Sequence, residues 1–75
     1  MLKLNKIFCG ARYIDFDNGD SHICGTNVFL AGLDDKYPSK YFVNGKDITS
    51  ATPIGSEVEC TFDLKGDKLK LVSYK

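Results

Sequence analysis

Seventy-five residues with ten basic and ten acidic side chains make one domain of zero formal net charge, too short to divide into two cores. The balance excludes a whole-molecule field that draws the chain to polyanions, so any nucleic-acid role has to come from local patches. Charges interrupt every apolar stretch before it reaches the length of a membrane-spanning helix. Cys9, Cys24 and Cys60 are odd in number and cannot all pair within one chain, and residues 1–6 carry no apolar signal core. The expectation is a cytoplasmic chain with free thiols packed as small apolar side chains.

The first predicted element is a long hairpin, residues 2–17 and 21–31, around Asp17-Asn18-Gly19-Asp20. Asn-Gly supplies the two positive-φ positions of a type I′ turn, which sets Ile14 opposite Ile23 and Phe8 opposite Phe29. Its apolar residues do not keep to one face. Gly10 and Gly25, each inside a strand, predict a bulge or sharp bend that exchanges the two faces.

A third strand is predicted over residues 39–43, entered past Pro38, with at most a helical turn within residues 47–51. The clearest unit closes the chain, as strands 57–64 and 68–74. Val58, Cys60, Phe62 and Leu64 alternate strictly with polar neighbours. A two-residue Gly66-Asp67 loop sets Leu64 opposite Leu69, Phe62 opposite Leu71 and Asp63 opposite Lys70, so apolar and charge matches agree on one register. Val58, Phe62, Leu64, Leu69 and Leu71 are the predicted core of this half. Five strands of this order and spacing predict an all-β, five-stranded OB-like barrel over residues 1–75, with an SH3-like barrel as the alternative. So small a core benefits from association, and a homodimer is expected.

Catalytic constellations are lacking. Ser21 and His22 point to opposite faces of an extended segment, so Asp20, Ser21 and His22 cannot converge as a triad. In the predicted register His22 lies across from Asp15 as an exposed charge pair. His22 and Cys24 share a face, but a metal would need further ligands from Cys9 and Cys60, and no Cys-x-x-Cys occurs. Glu57, Glu59 and Asp63 line a solvated strand face, and Gly-rich phosphate loops are missing. A non-enzyme without metal or cofactor is expected.

A binding surface is easier to find. Lys and Arg adjoin aromatic residues at Arg12-Tyr13, Lys36-Tyr37, Lys40-Tyr41-Phe42 and Tyr74-Lys75. Single-stranded nucleic acid asks for this combination: bases stack on rings while cations follow the phosphates. Tyrosine is also an ordinary strand residue, and lysine covers apolar surface with its stem.

Pro53-Ile54-Gly55-Ser56-Glu57-Val58-Glu59-Cys60-Thr61-Phe62, followed by Lys68-Leu69-Lys70-Leu71-Val72, is similar to the closing hairpin of very small single-stranded-DNA-binding proteins. These are the helix-destabilising proteins of filamentous phages and bacterial mobile elements. Asp35-Lys36-Tyr37-Pro38 and the long first hairpin resemble them as well. The resemblance implies an OB-fold homodimer that coats single-stranded DNA, in preference to RNA, without reading its sequence. It further implies stacking on Phe16, Tyr37 and Tyr41, with Arg12, Lys36, Lys40, Lys68 and Lys70 on phosphates. Asp15, Asp17 and Asp20 at the hairpin tip would then lie off the phosphate path. The same acidic tip supports an alternative function, a phage or mobile-element protein that binds a host protein through its barrel surface.

Overall fold

The chain folds as one five-stranded antiparallel sheet in the computed structural model, which describes residues 1–32 and 34–75. The strands are β1 (Leu2–Asn18), β2 (Ser21–Ala31), β3 (Ser39–Asn44), β4 (Glu57–Lys65) and β5 (Lys68–Tyr74). Their order is β3-β2-β1-β4-β5. A meander of the SH3-like kind would pair β4 with β3; here β4 returns beside β1, the Greek-key arrangement of 4-1-2-3. The sheet curls until β3 and β5 touch without pairing, giving a partly open barrel of OB type.

The closing hairpin has the predicted register, with Leu64 facing Leu69, Phe62 facing Leu71 and Asp63 facing Lys70. The first hairpin departs from expectation. Asn18 pairs with Ser21, so the two-residue loop is Gly19-Asp20, and Ile14 faces Gly25 where Ile23 was expected. Gly19 takes the positive φ of 62° and Asn18 stays extended, which is a Gly-first turn in place of type I′. A shift of two residues leaves every side chain on its predicted face.

The exchange of faces in β1 comes from a bulge. Phe8 faces Leu30 and Gly10 faces Phe29, leaving Cys9 as the extra residue. Before it Leu4 and Phe8 turn inward; after it Ala11 does. Gly25 has a different task. A Cβ there would fall on the Val43 carbonyl oxygen and 2.6 Å from Cζ of Phe42, whose ring lies across the strand. Gly25→Ala is therefore expected to destabilise by about 1–3 kcal/mol through overpacking, read as a lowered melting temperature by circular dichroism. An unchanged melting temperature would show that strand β3 can move away from β2.

Phe8, Val28, Leu30, Val43, Val58, Cys60, Phe62 and Leu71 form the core. Leu64 and Leu69, expected there, lie beyond it: the β4–β5 ribbon runs past the end of the barrel, and Leu64 is 65% exposed. No helical turn forms in residues 47–51. Instead the Asp47 carboxylate accepts hydrogen bonds from the Thr49 amide and hydroxyl, which holds its pKa below the usual value and builds a local turn. Buried Thr26 fastens the same loop, its hydroxyl donating to the Lys46 carbonyl at 2.6 Å and accepting from the Ile48 amide at 3.0 Å.

Candidate nucleic-acid interface

Strand alternation decides what the open seam between β3 and β5 displays. In β3, Tyr41 and Val43 turn inward, packed with the core, while Lys40 and Phe42 face out. In β5, Leu71 is buried, and Lys68 and Lys70 stand on the exposed side. Between the two strands lies a groove of about 310 Å³, floored by Tyr41, Leu69 and Leu71 and bordered by Phe42 and four lysines, Lys40, Lys65, Lys68 and Lys70. A second hollow of about 220 Å³ shares Lys65, Lys70 and Leu71 and adds Lys46 and Asp63, so the seam continues toward the β3–β4 loop. Among the described residues no lysine makes an ion pair. Their charges are available to a ligand.

Four of the residues expected from sequence meet in this groove: Lys40, Tyr41, Lys68 and Lys70. Tyr41 forms the inner wall, its ring packed on Phe62 at 5.2 Å and 59°. Its neighbour Phe42 offers a freer ring on the outer side, 36% exposed. Arg12 belongs to the adjoining outer face, in a row across the sheet: Arg12 faces Asn27, and Asn27 faces Phe42. Lys36 and Tyr37 sit in the β2–β3 loop just before β3, with Tyr37 80% exposed. Phe16 stands apart, on the hairpin beyond the last β2–β3 pair at Gly25 and Asn44. Sequence reasoning missed Lys65 and Leu69, and named Phe42 beside Lys40 and Tyr41 without giving its ring a role. The alternation through Lys40-Tyr41-Phe42 could have supplied one, since placing Tyr41 inward puts its neighbour outward.

Three carboxylates lie away from this groove. Past the end of β3, residues 15–24 continue as a two-stranded arm carrying Asp15, Asp17 and Asp20. His22 bridges the first two, with Nε2 2.7 Å from Asp15 and Nδ1 2.7 Å from Asp17. The expected Asp15 contact is present, although the cross-strand partner of His22 is Asp17.

The cysteines are free. Burial pushes the Cys60 thiol above its ordinary pKa, against a smaller opposite effect of Lys6. Iodoacetamide at pH 8 is expected to alkylate half-buried Cys9 and Cys24 well before Cys60, which should react on unfolding. Peptide mass mapping over time checks this, and equal rates would contradict it.

The fold and the seam together define a class, a small open Greek-key barrel with a lysine-bordered, aromatic-walled cleft between its end strands. Comparison with family models, curated proteins and solved structures returns no match. No described helix is long and apolar enough to cross a membrane.

Proposed function

We propose that this chain is a cytoplasmic, non-catalytic protein that binds single-stranded DNA, in preference to RNA, without reading its sequence. One observation carries the reading: Lys40, Lys65, Lys68 and Lys70 border a single groove beside the rings of Tyr41 and Phe42. Lysine is a point charge suited to a mobile phosphate, and an aromatic face stacks on any base. Neither contact carries sequence information. Arg12, in one row with Phe42, extends the cationic path onto the outer face of β1 and β2. The preference for DNA, and a homodimer as the working unit, rest on the resemblance of the closing hairpin to helix-destabilising proteins.

A second reading draws on the acidic arm, whose three carboxylates suit a basic surface on a host protein. Titration of labelled oligo(dT) and oligo(U) at low and moderate salt separates the two. Tight binding that falls steeply with salt supports the nucleic-acid reading. No binding even at low ionic strength would end it in favour of the arm.

A further inference from the structure

The groove and the arm are opposite in charge. The groove joins a rim of four lysines to an apolar floor of Tyr41, Leu69 and Leu71. The arm carries Asp15, Asp17 and Asp20, with Asp15 and Asp17 on the face shared with His22 and Phe16, 47% exposed, on the other. Within one molecule they do not meet. The barrel part of β1 reaches β5 through Phe8, whose ring stacks on Tyr74 at 5.2 Å, well before the arm begins at residue 15. The arm lies beyond the last β2–β3 pair, Gly25 with Asn44, and no residue of it lines the groove.

We propose that the arm of one copy docks in the lysine groove of a second copy. Carboxylates of the arm meet Lys40, Lys65, Lys68 and Lys70. The contact joins two different surfaces, so it closes as a reciprocal pair or propagates as a chain. It also makes the arm a competitor for any polyanion in the groove. The inference rests on the groove and the arm, and does not require the groove to bind nucleic acid.

Sedimentation velocity of the full chain tests it without any nucleic acid present. At about 20 mM salt the wild type is expected to associate, and at about 300 mM to associate much more weakly, because salt screens solvent-exposed charges. The variant D15N/D17N/D20N is expected to lose about tenfold or more in association constant while melting like the wild type. Carbodiimide coupling of a mixture of unlabelled and ¹⁵N-labelled wild-type chains supplies a readout that needs no variant. Mass spectrometry is expected to find mixed-isotope cross-links from Asp15, Asp17 or Asp20 to the groove lysines. A wild type that stays monomeric at low salt overturns the proposal. So does association that the arm variant retains in full, or cross-links that avoid the groove. Oligo(dT) binding by the arm variant, measured separately, reports on the nucleic-acid reading alone.

Discussion

Phe62→Ala is expected to cost about 3–5 kcal/mol, enough to leave the chain largely unfolded at room temperature. Phe62 is wholly buried in β4, paired across to Leu71 and packed against the ring of Tyr41. It also faces Leu2 at the start of β1, so its ring helps hold both ends of the chain on the barrel. A domain of this length buries only about 60% of the surface its unfolded chain exposes, so little other apolar area remains to compensate. Urea unfolding followed by circular dichroism measures the loss, and Phe62→Leu is expected to recover most of it. A loss below about 1 kcal/mol would mean that the cavity collapses, contrary to the close packing inferred for this core.

The largest functional effect is expected from the seam. Lys65→Ala, Lys68→Ala and Lys70→Ala together remove three of the four lysines that border the groove. If each contacts one phosphate, the slope of log affinity against log salt should fall by about 2, since single strands lose about 0.7 per contact. Affinity at low salt should fall with it, and all three side chains are exposed, so the melting temperature should change little. Phe42→Ala is the counterpart. Loss of a stacking face should cost about 1–3 kcal/mol of binding and leave the slope unchanged, because stacking releases no counterions. A triple variant that binds with the wild-type slope would place the phosphate path elsewhere, on Arg12 and the outer face.

The two hairpins show what was readable from the chain and what was not. In the closing hairpin, Phe62 with Leu71, Leu64 with Leu69 and Asp63 with Lys70 all required the same register, and the structure has it. In the first hairpin, Asn18-Gly19 was expected as the two-residue loop of a type I′ turn, and the structure loops through Gly19-Asp20 instead. In that loop only glycine takes a positive φ, which spares Asn18 a left-handed conformation. Alternation revealed which face Leu64 and Leu69 share, but it carries no information about where the barrel ends. The groove was the least legible feature. Lys40 and Lys65 are far apart in sequence and meet only because β4 returns to β1 and brings β5 beside β3. Sequence adjacency therefore favoured Tyr41 as the stacking ring, whereas the fold turns it toward Phe62 and leaves Phe42 outside.

The unclosed seam also bears on how the molecule can be handled. β3 and β5 end the sheet, so each keeps a row of backbone donors and acceptors that no neighbouring strand occupies. Such rims recruit strands from other chains, and lysines along them oppose that recruitment by charge and hydration. Amine-reactive dyes and acylating reagents would strip this protection from Lys40, Lys68 and Lys70 and leave a rim competent for fibril-like stacking. Labels for optical work are better carried on the thiol of Cys9 or Cys24, both partly accessible and outside the groove.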